Sequence, residues 1–140
     1  MKIAVFQKKD SDFCENIRKA LPEAEIYPDG ERGCSFDMIL CQCGAPMVGS
    51  GIKGRILICD SRCDAGKLCG FGAGSVITVG LTGKDTLTHS STLQRGGVAS
   101  LQREVISLGG EIIRPQEVLL DGIEGDLTEK LAIKAALLLS

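Results

Sequence analysis

Four of the seven cysteines lie at or just beyond the ends of two apolar runs. Cys41 and Cys43 close the first run, and Cys59 and Cys63 close the second. Residues two apart on a strand share a face, so three or four thiols could converge as ligands of zinc or of an iron–sulfur cluster. The spacing matches no established CxxC…CxxC arrangement, and Cys often packs as a small hydrophobe. We therefore favour packing, with a thiol-based metal or redox site as the alternative.

Polar residues follow the second of these runs directly. Asp60, Ser61 and Arg62 lie just past its end, and Lys84 lies in the later segment TGKD. The carboxyl ends of parallel strands form the crevice in which ligands usually bind. These four residues are therefore our candidates for contacts to a small-molecule ligand, although a helix cap and a surface charge explain Asp60 and Arg62 equally well.

No catalytic residue can be named from the sequence. His89 is the single histidine and has no identifiable carboxylate partner, and no GxSxG motif is present. The segment GFGAG at 70–74 predicts a plain turn, because a strand rather than a helix follows it. Lys8 and Lys9 predict a solvated loop, and the segment 82–85 predicts a turn between strands.

The elements that position these residues follow from the hydrophobic periodicity. Apolar runs at 3–6, 24–27, 36–41, 55–59 and 76–79 predict strands, and the spacing of apolar residues in 12–20 predicts a helix. After Gly80, three runs separated by paired glycines predict an antiparallel meander. The run 98–108 also matches a helix face, but we favour strand. Asp126 and Glu129 have the spacing of a capping box and predict a final helix.

These elements predict one α/β domain over residues 1–140. It should contain a mainly parallel sheet flanked by helices, with an antiparallel extension after Gly80. An open strand edge in that extension favours a homodimer.

Composition excludes several classes of partner. A net charge of −2 and only 4% aromatic residues disfavour nucleic-acid binding. No apolar run approaches the roughly 18 residues of a membrane span, and the first run is shorter than the core of a signal peptide, which is roughly 7–15 residues. The odd number of cysteines favours a reducing cytoplasm over a disulfide framework.

Residues 55–140 resemble the second half of the central, ATP-binding domain of the Mur ligases. ILICDS at 56–61 is similar to a family strand that ends in an Asn/Asp-rich turn, and SVITVGL at 75–81 is similar to the next strand. KDTLT at 84–88 stands where the family's antiparallel extension begins, and LAIKAA at 131–136 stands where the family has an Ala-rich helix. The resemblance implies a Rossmann-like fold. The chain also resembles a small uncharacterised bacterial family of this length.

The departures from the ligases disfavour ligase activity. No GxxxxGK[ST] loop is present to hold the phosphates of ATP. The adenine-contacting Asn is not evident near Cys59, and the His-Asn pair expected before the last helix is replaced near Gly125. We therefore expect no cofactor and a non-catalytic binding or regulatory domain. The alternatives are the thiol-based protein and a small enzyme that acts at the strand-end crevice.

Overall fold

The computed structural model describes residues 1–30, 34–46, 51–63, 68, 70–91 and 97–140, with the backbone alone at Ser91. Within these residues lie two helices, α1 (Phe13–Ala20) and α2 (Leu127–Leu139). The strands are β1 (Lys2–Phe6), β2 (Glu25–Pro28), β3 (Ser35–Cys41), β4 (Ile52–Asp60), β5 (Phe71–Gly80), β6 (Leu87–Ser91), β7 (Val98–Leu101), β8 (Val105–Ile106), β9 (Ile112–Ile113) and β10 (Gln116–Leu119).

Eight of the strands form one sheet, in the order β10-β7-β6-β5-β4-β3-β1-β2. The pairs from β2 to β6 are all parallel, whereas β7 and β10 pair antiparallel. The chain adds β2 on one side of β1 and then β3 on the other. The strand order therefore reverses at β1, and such a reversal is where open α/β sheets place their ligand crevice. The expected α/β class with a mainly parallel sheet is confirmed.

The two faces of the sheet carry separate apolar clusters. On one face, α1 and α2 pack against strand residues such as Val5, Leu40 and Ile58. On the other face, Phe6, Ile39 and Leu57 form a second cluster, in which the rings of Phe6 and Phe71 lie 5.0 Å apart. Both faces of the central strands are thus buried, which explains why these strands read as continuous apolar runs rather than as alternating ones.

Most of the glycine-rich segment at 70–74 is strand rather than the predicted turn. Gly70 lies in a turn, and residues 71–74 are the first four of β5. A Cβ at Gly74 would lie 2.9 Å from the carbonyl oxygen of Arg55 on the neighbouring strand. Glycine therefore serves close approach of two strands here, which propensity alone cannot distinguish from a turn.

The antiparallel part of the sheet begins one strand later than predicted. β6 pairs parallel with β5, through Val79 with Leu87 and Gly80 with Thr88. The connection between them is short because the chain steps sideways at the end of β5 and continues in the same direction. The segment 82–85 is a turn between strands, as predicted.

The run 98–108 forms strands rather than a helix, as favoured, but it divides into β7 and β8. The third predicted run, residues 111–120, divides as well. Ile112 and Ile113 pair with β8 in a separate two-stranded sheet, whereas β10 pairs with β7. The meander therefore consists of β6, β7 and β10, and the β8–β9 hairpin is inserted between β7 and β10. The sequence also predicts a short helix at 61–69, and most of these residues lie outside the part of the chain that the structure describes.

The final helix begins where the capping box predicts. Asp126 is the N-cap, and its Oδ1 accepts a hydrogen bond from the backbone N–H of Glu129 at 2.9 Å. Neither helix in the described part of the chain has the length and apolar character that crossing a bilayer requires.

Candidate functional site

A cleft lies at the carboxyl ends of β1, β3, β4 and β5, against the first turn of α2. Its cavity has a volume of about 30 Å³, enough for about two water molecules. Polar and apolar side chains share its wall: Lys8, Phe13, Cys41, Gln42, Cys43, Asp60, Arg62, Val79, Asp126, Thr128, Glu129 and Ala132. The cleft thus occupies the position that the reversal of strand order predicts.

Asp60 and Arg62 form an ion pair on one side of this cleft. Asp60 ends β4 with its side chain 3% exposed, whereas the Arg62 side chain is 69% exposed. The guanidinium donates from Nη2 to Oδ2 at 2.6 Å and from Nε to both carboxylate oxygens, and the backbone N–H of Arg62 donates to Oδ1. The hydrogen bond and charge of Asp60 raise the pKa of Arg62. Both oxygens of this buried carboxylate therefore have partners.

A network of hydrogen bonds forms the opposite side and joins four segments of the chain. Gln42, just past β3, donates from Nε2 to Oε1 of Glu129 at 3.2 Å, and its Oε1 accepts from the backbone N–H of Lys8 at 3.0 Å. Asn16 of α1 donates from Nδ2 to Oε2 of Glu129 at 3.5 Å. The Glu129 carboxyl group of α2 is thus held by Gln42 at the end of the sheet and by Asn16 of α1.

Glu129 is the electrostatically unusual group of the cleft. Partial burial raises the pKa of its carboxyl group, and the nearby charge of Asp126 raises it further, while the amide of Asn16 and the charge of Lys8 act in the opposite direction. A protonated carboxyl group can donate as well as accept a hydrogen bond, and a raised pKa extends the pH range over which this form is present.

Of the four polar residues predicted from the sequence, Asp60 and Arg62 line the cleft. Ser61 and Lys84 are not part of its wall. Ser61 lies beside the next strand end, where its N–H donates to the carbonyl of Val79 at 2.9 Å. Lys84 is exposed in the turn after β5, and its carbonyl accepts from Arg103 at 2.6 Å. Position at the carboxyl ends of parallel strands therefore brings only two of the four predicted residues to one site.

Beside Ser61 lies a buried carboxylate that sequence analysis did not single out. Asp85 is 1% exposed, and its Oδ2 accepts from the N–H and the hydroxyl of Thr82 at 3.1 and 3.0 Å. A Cβ at Gly80 would lie 2.5 Å from this oxygen and 2.6 Å from Oγ of Ser61. Glycine at this position therefore leaves room for the turn that ends β5.

The four cysteines proposed as alternative metal ligands do lie near one another. Cys41 and Cys59 are buried and in register on neighbouring strands, and Cys63 packs against their cluster with its thiol 3.9 Å from the carbonyl oxygen of Cys41. Cys43 instead lines the cleft. Among the residues that the structure describes, no three Cys, His, Asp or Glu side chains have a geometry that could hold a metal ion.

The pKa values of these thiols are those expected of buried packing residues. Burial raises the pKa of Cys59 to about 11 and that of Cys63 to about 12, and it raises the pKa of Cys41 as well. Metal ligation and nucleophilic attack both require the thiolate. Burial therefore keeps these thiols in the form that is least suited to either chemistry.

Lys8 and His89 have surroundings that the sequence did not indicate. Lys8 is exposed, as expected of a loop residue, yet it lines the cleft. His89 is half-buried in β6, and its Nε2 is buried without a hydrogen-bond partner among the described residues.

Sequence reasoning missed Gln42 and Asn16 and assigned Glu129 only a capping role. Gln42 could have been found, because it directly follows a predicted strand and the strand-end rule applies to it as it does to Asp60. Asn16 and Glu129 come from helices, and their approach depends on how those helices pack.

No protein-family model, curated protein or solved structure matches this chain. Kinship with the Mur ligase central domain therefore stays a prediction from the residues quoted above.

Proposed function

We propose that the protein is a non-catalytic domain that binds a small polar molecule in the cleft at the strand ends. The observation that carries the proposal is the convergence of polar side chains from β3, β4, α1 and α2 at the point where the strand order reverses. Most side-chain hydrogen bonds in proteins go to backbone or water. A network of side chains from separate elements in such a crevice is what a binding site needs.

The charges of the cleft indicate the class of ligand. Three carboxyl groups and two cationic groups line it: Asp60, Asp126, Glu129, Lys8 and Arg62. Arg62 already neutralises Asp60, and the Asp126 carboxylate takes the N-cap position that a bound phosphate would use. The remaining groups favour a ligand that offers hydrogen-bond donors or an amine over a phosphorylated nucleotide.

Entry of such a ligand requires the cleft to widen. Its present volume of about 30 Å³ is far below the roughly 300 Å³ of a typical ligand pocket. The exposed Arg62 side chain is the part of the wall that can move, because its guanidinium already lies largely in solvent, and a donor or amine of the ligand would replace it as the partner of the buried Asp60 carboxylate. Arg62 then acts as a displaceable cover over a buried carboxylate.

The experiment is a thermal-shift screen of neutral and amine-bearing metabolites. It compares the wild-type chain with Glu129→Gln in the cleft and with Glu117→Gln on exposed β10 as a matched control. A ligand at 100 times its Kd adds about 2.7 kcal/mol, which raises the melting temperature by several degrees. We expect hits whose shift is reduced in Glu129→Gln and kept in Glu117→Gln. Equal shifts in all three proteins would refute the proposed site.

A small enzyme at the same cleft is the second candidate, favoured by the raised pKa of Glu129. Acids and bases of enzymes often have such shifts because they work near neutral pH. Mass spectrometry of a hit after incubation with the protein distinguishes the two functions. A binding domain returns the molecule unchanged, whereas an enzyme converts it.

A further inference from the structure

The sheet has a step along one side of β5. β4 pairs with β5 from Phe71 to Val79, whereas β6 pairs only with Val79 and Gly80. Over residues 71–77, β5 therefore has a neighbour on one side and no described strand on the other. Along residues 71–77, the edge of β5 on the side of β6 is thus open in the described part of the chain. We call this open edge the step.

The backbone of Val76 points toward this open side. The Thr78 N–H donates to Oγ1 of Thr86, toward β6, and the Val79 carbonyl accepts from Ser61, toward β4. Successive residues of a strand in a parallel sheet direct their polar groups to opposite neighbours. Val76 therefore directs its N–H and carbonyl as Thr78 does, and its side chain is 55% exposed.

A groove separates this edge from the segment that includes β8. It has a volume of about 280 Å³ and lies between residues 75–77 and residues 103–106. Ile106 at its border is 61% exposed, and its cross-strand partner Ile112 is 62% exposed. The open backbone thus has apolar side chains beside it that an added strand would cover.

The two outer edges of the sheet are protected, and the step is not. β2 contains Glu25 and Pro28, and β10 contains Glu117 and follows Pro115. Charges and proline are the usual features that block strand addition at an edge. The sequence of the open stretch, FGAGSVI, has neither.

We propose that the step at β5 binds the same stretch of a second copy of this chain. A two-fold axis pairs residues 71–77 of each copy antiparallel, which makes one continuous sheet through both. In this arrangement, residue 71 of one copy lies opposite residue 77 of the other. β6 pairs only with Val79 and Gly80, so it begins beyond the end of the partner's stretch and leaves room for it. This inference is independent of the cleft, and it places the homodimer at β5 rather than at the outer edge of the antiparallel extension.

The test compares two proline variants at exposed apolar edge residues. Val76→Pro removes the N–H that points into the step. Leu119→Pro is the matched control. Leu119 is 54% exposed on β10, and the N–H of the next residue, Leu120, donates to the carbonyl of Gly97 beside β7, so the N–H of Leu119 points away from β7. Light scattering of the wild type should give twice the 14.8 kDa of the chain. Val76→Pro should give a single-chain mass, and Leu119→Pro should stay dimeric.

A second variant and a second readout guard against misfolding. Val76→Lys keeps every backbone donor and adds a charge that opposes strand pairing, so it should also be monomeric with unchanged circular dichroism. In the wild type, hydrogen exchange at the Val76 amide should slow as protein concentration rises. A monomeric wild type at high concentration, or a monomeric Leu119→Pro beside a dimeric Val76→Pro, would overturn the proposal.

Discussion

Removing the exposed member of the Asp60–Arg62 pair should cost more stability than removing the buried member. Arg62→Ala leaves a carboxylate that is 3% exposed with the backbone N–H of residue 62 as its remaining donor at this pair. Asp60→Asn instead leaves a guanidinium that is already largely in water. The asymmetry follows from burial, because an unpaired charge costs little in solvent and much inside the protein.

The magnitude lies between two known limits. Breaking a fully buried pair costs about 3–5 kcal/mol, whereas losing an exposed pair costs about 0–1 kcal/mol. Asp60 is buried but Arg62 is not, so we expect Arg62→Ala to lower the free energy of unfolding by about 1–3 kcal/mol at neutral pH. Asp60→Asn should cost less than about 1 kcal/mol.

Urea denaturation of the two single variants and the double variant measures these values. Asp60→Asn should restore stability in the Arg62→Ala background, because it removes the buried charge. A double variant that is no more stable than Arg62→Ala would refute the reasoning.

Four further predictions concern the cleft, the turn beside it, the thiols and ATP. Because the raised pKa of Glu129 favours its protonated form in the fold, wild-type stability relative to Glu129→Gln should be greatest below about pH 4.5 and fall as pH rises through that pKa; urea titrations over that range check this. Gly80→Ala should lose about 1–3 kcal/mol, because the new methyl group meets the Asp85 carboxylate and the Ser61 hydroxyl. Gly83→Ala lies in the same turn, but its added Cβ would have no atom within 4 Å. It should change the free energy of unfolding by less than about 0.5 kcal/mol in the same urea titrations. The Cys59 thiol should resist alkylation in the native protein at neutral pH, and a chelator should leave the melting temperature unchanged; lost stability with released zinc or iron would revive the metal alternative. Calorimetry should find no tight binding of Mg-ATP, because no P-loop is present to hold its phosphates.

The sequence predicts the strands well where burial is two-sided. β1, β3 and the second half of β4 are apolar runs bounded by polar turns, and each lies where its run indicates. The prediction fails at the first residues of β5, because glycine there reflects close approach of β4, a relation between distant segments. The direction of β6 was also unpredictable, since hydrophobic pattern carries no information on whether a short connection steps sideways or reverses.

The candidate site is predictable in part for the same reason. Asp60 and Arg62 follow a strand directly, so position in sequence determines position at the sheet edge. Glu129 reaches the cleft, and Asn16 reaches the Glu129 carboxyl group, because α1 and α2 pack side by side on one face, which depends on the order of the strands beneath them. A capping pattern identifies where a helix begins but not which cleft its first turn faces.

Amide chemical-shift mapping of the ¹⁵N-labelled chain with neutral and amine-bearing fragments tests the binding site most directly. We expect bound fragments to shift the resonances of Lys8, Gln42, Arg62 and Thr128, Glu129→Gln to weaken these shifts, and inorganic phosphate to leave the four resonances in place. Fragments that bind elsewhere without moving these four resonances, or phosphate that moves them at the same concentration, would contradict the proposed site.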